Sequence, residues 1–145
     1  AICRTPREKR EEKAAYEKAV EVMEFVGITS LAHLPVSAIT EEAKKRTACA
    51  LALATEPEII FLDELAAGTN PDETERLAEL MKKMVKHGIT VCTIEHKMHM
   101  IMNISDKIMV LDRGKKIAEG TVDEVQHDPA VIEAYLGSDA VAQVD

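Results

Sequence analysis

The sequence lacks several features that would place it in a broad class of protein. Its longest apolar runs are far shorter than the ~20 residues needed to cross a bilayer. Its cysteines, Cys3, Cys49 and Cys92, are odd in number and widely spaced, with no C-x-x-C pair. This spacing predicts reduced thiols rather than disulfides or a zinc site. Acidic residues outnumber basic ones by 26 to 18, which disfavours a general nucleic-acid-binding surface.

What the sequence contains is typical of a globular protein with a substantial core. Its 145 residues correspond to about one domain. Residues 1–13 are dense in charge and begin without a methionine, so we expect the chain to start inside a longer protein. We expect a helical subdomain over residues 1–56, an α/β part over residues 57–137 and a frayed tail over residues 138–145.

Helix signals recur along the chain. Apolar residues at helical spacing predict a helix over Pro6–Val26, which Gly27 ends. Thr40 is a good cap for a second helix, in which the charged run 44–46 is expected to face solvent. Asn70, followed by a proline, opens a third helix with the pattern of a capping box.

Three apolar segments have the length and composition of strands. Residues 58–64 (EIIFLDE) form the first, and four consecutive apolar residues predict that it is buried on both faces. Residues 89–94 and 107–111 form the other two, and the intervening helices predict a parallel sheet. Residues 112–120 then resemble a hairpin turn and its returning arm. Thr121 and Glu124 have the pattern of a capping box that opens the first of two short helices, and Gly137 ends the second.

Polar residues follow two of these strands. Asp63 and Glu64 close the first strand, and Glu95 and His96 close the second, so all four are expected at one edge of the sheet. One carboxylate there could hold Mg²⁺ through water while its neighbour polarises an attacking water. A strand that simply runs out into a polar loop remains an alternative, and so does a zinc site formed by His96 and His99.

Several motifs, in order and at the right separation, resemble one family. IIFLDE is similar to the Walker B strand of ATP-binding-cassette (ABC) ATPases, AAGTNP to their D-loop, and TIEH to the strand that carries their switch histidine. The closing segment, from DKIMVLDRGKKIAEG onward, resembles the ATPase subunits of branched-chain amino acid importers. The resemblance implies a three-layer, P-loop-NTPase-like parallel sheet, here partial, with a leading helical subdomain.

The resemblance also implies roles for individual residues. Asp63 would hold Mg²⁺ on the phosphates of ATP, Glu64 would be the general base, and His96 would hold the γ-phosphate and the attacking water in line. Gly68 and Asn70 would shape a loop that meets a second ATPase subunit. The parent protein would act with membrane permease subunits, as a cytoplasmic protein on the inner face of the cell membrane.

The sequence also departs from the family. It contains no G-x-x-x-x-G-K-[ST] phosphate loop, so ATP and Mg²⁺ are not expected to bind tightly to this chain alone, and the chain alone should be inactive. Residues 39–43 replace the signature loop. There Thr40 keeps the hydroxyl, but Glu41 and Glu42 are expected to repel a triphosphate, so that this site does not complete an ATP sandwich.

The sequence leaves two questions open and adds one expectation. The replacement of the signature loop is either natural or engineered. The chain is either a part of an ATPase or a nucleotide-free, non-catalytic interaction module that kept the ATPase scaffold. If it is a part, its exposed sheet edges are expected to make it self-associate.

Overall fold

The computed structural model describes residues 5–136, which form two compact units that divide between Lys97 and Met98. The predicted boundary between residues 56 and 57 stays a prediction. In chain order the described helices and strands are α1 (Pro6–Val26), α2 (Glu41–Leu53), β1 (Ile59–Asp63), α3 (Pro71–Lys86), β2 (Thr90–Ile94), α4 (Met98–Ile104), β3 (Ile108–Asp112), β4 (Lys115–Gly120), α5 (Val122–Gln126) and α6 (Pro129–Leu136). Among the helices described, none combines the length and hydropathy needed to span a bilayer.

Helix α1 begins and ends where the sequence predicts. Thr5 and Glu8 form a capping box at its start, and Gly27 ends it in a left-handed conformation with φ 77°. The helix packs on α2 through Val22 and Val26, which are buried. Tyr16 is 70% exposed, although it lies on the predicted apolar stripe. The reason is length, because α1 has 21 residues and α2, which covers it, has 13.

Strands β1 and β2 pair in parallel, with Ile59 opposite Thr90 and Asp63 opposite Ile94. The prediction that β1 is buried on both faces is wrong. Ile60 is 5% exposed, whereas Phe61 on the opposite face is 73% exposed. The physical reason is that β1 and β2 form a two-stranded sheet, and among the described residues of this unit nothing covers the second face.

Helix α3 packs against β2 and contributes five buried residues to the first unit. Asn70 and Glu73 form the predicted capping box at its start. At its end the ring of His87 contacts the Lys83 carbonyl, with Nδ1 and O 2.8 Å apart. The fully or nearly fully buried residues of α3 are Leu77, Ala78, Leu80, Met81 and Met84.

The second unit contains the predicted hairpin but not a third parallel strand. β3 pairs antiparallel with β4, so the pairing described for β3 is not that of a parallel strand. Arg113 and Gly114, with φ of 46° and 78°, make a two-residue turn that brings β4 back onto β3. Helix α5 begins at the predicted capping box of Thr121 and Glu124, and the predicted stop at Gly137 lies outside the described residues.

Candidate active site at the carboxyl ends of two parallel strands

Parallel pairing brings the carboxyl ends of β1 and β2 side by side. Asp63 and Glu64 follow one strand, and Glu95 and His96 follow the other. The backbone N–H of Glu64 donates a hydrogen bond to the Ile94 carbonyl at 2.9 Å, which extends the pairing one residue beyond the strands. The two polar pairs therefore share one edge of the sheet.

Glu64 and His96 face one another at this edge. The distance between Glu64 Oε1 and His96 Nδ1 is 3.6 Å, and both side chains are more than half exposed. This separation is longer than a hydrogen bond but within the range of an ion pair. Glu64 has φ 47°, a left-handed conformation that is unfavourable for a residue with a side chain. The chain therefore turns abruptly after Asp63.

Asp63 is exposed on the same face of β1 as Phe61, because alternate residues of a strand share a face. Within residues 5–136, no side chain neutralises its carboxylate, and no three His, Cys, Asp or Glu side chains are placed to hold a metal ion. The donors nevertheless fit Mg²⁺. This ion prefers oxygen ligands and is commonly held by one or two carboxylates together with water and substrate phosphates.

Charged side chains from other parts of the chain hold the loop over residues 64–70. Glu95 Oε1 accepts the Ala66 N–H at 2.7 Å, and Ala66 is fully buried. Lys45 of α2 donates to the carbonyls of Leu65 and Ala67. The prediction of a solvated face is therefore wrong for Lys45. A signal was present, because Lys45 lies four residues before the buried Cys49 and so on the same helix face.

A second lysine holds the far end of the same loop. Lys97 Nζ donates to the Thr69 carbonyl at 3.0 Å and to the Thr74 hydroxyl at 2.8 Å. Gly68, between the two lysine contacts, has φ 71°, a conformation that glycine adopts without strain. The side chain of Asn70 accepts the Glu73 N–H at 2.9 Å, so this candidate site residue acts in the structure as the cap of α3.

Residues 39–43, which are expected to replace the signature loop, are also defined in the structure. The Thr40 hydroxyl accepts the Ala43 N–H at 3.2 Å and thereby caps α2. Glu41 is exposed and pairs with Lys44 at 2.6 Å. The expectation that both carboxylates face an approaching triphosphate is wrong for Glu42, which is 8% exposed, and stays a prediction for Glu41.

Glu42 points inward because two arginines bind it. Arg76 Nη2 lies 2.7 Å from Glu42 Oε2, and Arg46 Nε lies 2.9 Å from Glu42 Oε1. The hydrogen bond from Arg76, reinforced by Arg46, holds the pKa of Glu42 below its usual value even though burial acts in the opposite direction. Arg46 also donates to the Val26 carbonyl at 2.6 Å, so this cluster joins α1, α2 and α3.

Comparison with known proteins identifies relatives over 94% of the chain. The family model for the branched-chain amino acid ATP-binding cassette transporter matches residues 115–141. The high-affinity branched-chain amino acid transport ATP-binding protein BraF of Pseudomonas aeruginosa is 39% identical over 94% of this chain and 54% of its own length. LivG of Escherichia coli, with the same description, is 37% identical over the same shares. The chain spans about half the length of these relatives and matches their carboxyl-terminal part.

Solved structures give the same relationship for the fold. The ADP conformation of an ATP-binding cassette of an ABC transporter superposes with a TM-score of 0.79 and 29% identity, over 86% of this chain and 51% of that one. A nucleotide-free cassette from an ABC transporter superposes with a TM-score of 0.79 and 26% identity, over 94% and 58%. The chain therefore has a partial ABC-cassette fold of the α/β class, as its motifs indicate.

The buried Glu42 carboxylate generates a test of pH-dependent stability. Because its folded-state pKa is depressed, its ion pairs stabilise the fold above the ordinary pKa of 4.5, and this contribution is lost as the pH falls through the lower folded-state pKa. We expect Glu42→Gln to lower the free energy of unfolding by roughly 2 kcal/mol at neutral pH. Urea unfolding across a pH series should show this difference shrinking in acid.

The matched control is Glu41→Gln, one residue away in the same helical turn. Glu41 is exposed, so its replacement should change the free energy of unfolding little at any pH. A loss of stability in Glu42→Gln that stays constant from neutral to acid pH would contradict the ion-pair interpretation.

Proposed function

Since this chain is related over 94% of its length to the carboxyl-terminal part of branched-chain amino acid ABC ATP-binding proteins, we propose that its parent protein hydrolyses ATP to drive amino acid import. The observation that supports this most directly is the meeting of Glu64 and His96 at the shared ends of β1 and β2, beside the exposed Asp63. An acid that can hold Mg²⁺, a second acid that can act as a base and an imidazole that can bind a phosphate oxygen are suited to the hydrolysis of a phosphoanhydride.

Each of these residues has a distinct role in the proposed reaction. Asp63 would hold Mg²⁺, chiefly through water, and the ion would neutralise charge on the phosphates. Glu64 accepts a proton from the attacking water, and its exposed carboxylate leaves room for that water beside it. His96 donates a hydrogen bond to the terminal phosphate and keeps the water in line with it. The 3.6 Å gap between Glu64 and His96 is compatible with both groups reaching one water.

The parent would supply what the chain lacks. No G-x-x-x-x-G-K-[ST] loop is present in the 145 residues, so the phosphates have no cradle of backbone amides and no loop lysine. The names of the relatives support a branched-chain or related amino acid as the transported solute. We further propose a second ATPase subunit and membrane permease subunits as partners, at the cytoplasmic face of the membrane.

A second candidate function is a non-catalytic interaction module, and the start of α2 favours it. The Thr40 hydroxyl is engaged as a helix cap, and the Glu41 carboxylate is exposed where a signature loop would approach a triphosphate. Like charges at ~4 Å cost several kcal/mol at an intermediate dielectric. In this alternative the scaffold is kept and nucleotide binding is lost.

ATP hydrolysis by the full-length parent distinguishes the two functions. We expect Mg²⁺-dependent release of phosphate, and a fall in kcat of about 100-fold or more in Glu64→Gln, since the general base is lost. Glu58→Gln, at the opposite end of β1, is the matched control and should retain activity. The 145-residue chain alone should release no phosphate. A full-length parent without Mg²⁺-dependent activity would instead favour the interaction module.

Self-association of the isolated chain is a separate expectation. The two-stranded sheet leaves strand edges without partners among the described residues, and Ile59, Phe61 and Ile94 are exposed on one face. Light scattering should therefore give a mass that rises with concentration, and Phe61→Lys should reduce it. Leu51→Lys, which removes an exposed leucine from α2, is the control. A monomer at every concentration would exclude this association.

A further inference from the structure

A carboxylate at the end of β2 controls the geometry of the loop that follows β1. We propose that Glu95 is a positioning residue, which fixes the start of the 64–70 loop so that Glu64 stays opposite His96. This inference rests on the proposed function, because it assigns Glu64 and His96 to the reaction. Glu95 itself does not face the reacting groups and acts through the loop.

Two hydrogen bonds support this inference, and both join residues 64–66 to residues 94 and 95. The Glu64 N–H donates to the Ile94 carbonyl at 2.9 Å, and the Ala66 N–H donates to Glu95 Oε1 at 2.7 Å. Residues 64 and 66 are thus both attached to the end of β2. His96 follows Glu95 directly. The hydrogen bond between Ala66 and Glu95 and the facing side chains of Glu64 and His96 therefore come from the same two short segments.

The conformation of Glu64 requires such a constraint. A residue with a side chain at φ 47° is held in a sparsely populated, strained region, and it persists only where the surroundings determine it. One hydrogen bond fixes Glu64 itself, and the bond to Glu95 fixes the chain two residues later. Ala66 is fully buried, so water cannot replace Glu95 as the acceptor.

The surroundings of one Glu95 oxygen point to more than a stabilising role. Its second oxygen, Oε2, is buried and has no hydrogen-bond partner among the described residues. An unpaired buried carboxylate oxygen is destabilising, so a stabilising contact alone does not account for this side chain. Lys45 and Lys97 also hold the loop, but they bind carbonyls at residues 65, 67 and 69 and leave the Ala66 N–H to Glu95.

Amide hydrogen exchange in the chain tests the geometric part of the proposal. In the wild type, the Ala66 amide should exchange slowly although it lies in a loop. Glu95→Met keeps the length of the side chain but removes the acceptor, so exchange at Ala66 and Glu64 should rise by about tenfold or more. Glu95→Gln keeps an acceptor oxygen and should stay within about twofold of the wild type. Free exchange at Ala66 in the wild type overturns the proposal without any variant.

Steady-state kinetics of the full-length parent tests the consequence for the reaction. Glu95→Met should lower kcat about tenfold with KM for ATP nearly unchanged, and Glu95→Gln should restore most of the activity. An unchanged kcat in Glu95→Met, or equal losses in both variants, overturns the positioning role while the ATPase assignment stands. An inactive wild-type parent overturns the proposed function instead, and the exchange data then still decide whether Glu95 holds the loop.

Discussion

The parallel pairing of β1 with β2 is the interaction on which the candidate site depends. Parallel strands end at the same edge of a sheet, so residues about 30 positions apart in the sequence become neighbours there. The Glu64 N–H continues this pairing to the Ile94 carbonyl and places an acid within 3.6 Å of His96. Had the two strands paired antiparallel, Asp63 and His96 would lie at opposite ends of the sheet.

Charged side chains that are buried or half-buried bind distant parts of the first unit. Glu42 is buried between two arginines, and Lys45 and Glu95 bind backbone groups of the 64–70 loop. A buried charge is tolerated only when partners satisfy it, and residues distant in sequence bind Glu42 and Lys45, whereas one oxygen of Glu95 has no partner among the described residues. Within residues 39–43, Glu42 is therefore built into the fold, whereas Glu41 stays exposed.

The features that the sequence predicted are those with local causes. Gly27, the Asn70–Glu73 capping box and the Thr121–Glu124 capping box each act within four residues, and the helices begin or end at these positions. Turn chemistry likewise predicted the β3–β4 hairpin. The edge that joins Asp63, Glu64 and His96 was also foreseen, because crossover helices imply parallel strands.

The features that escaped the sequence depend on which neighbours are present. Phe61 is exposed because nothing described in its unit covers that face of the sheet, and no property of residues 58–64 reports this. The inward turn of Glu42 depends on Arg76, which is 34 residues away. Lys45 and Glu95 looked like ordinary surface and rim residues, since their contacts are with backbone groups 20 or more residues distant.

The most direct measurement is a structure of the full-length parent bound to Mg²⁺ and a non-hydrolysable ATP analogue. The account predicts that Asp63, Glu64 and His96 all face the terminal phosphate, with Asp63 on the Mg²⁺ side. A nucleotide bound with Glu64 and His96 directed away from that phosphate would contradict it.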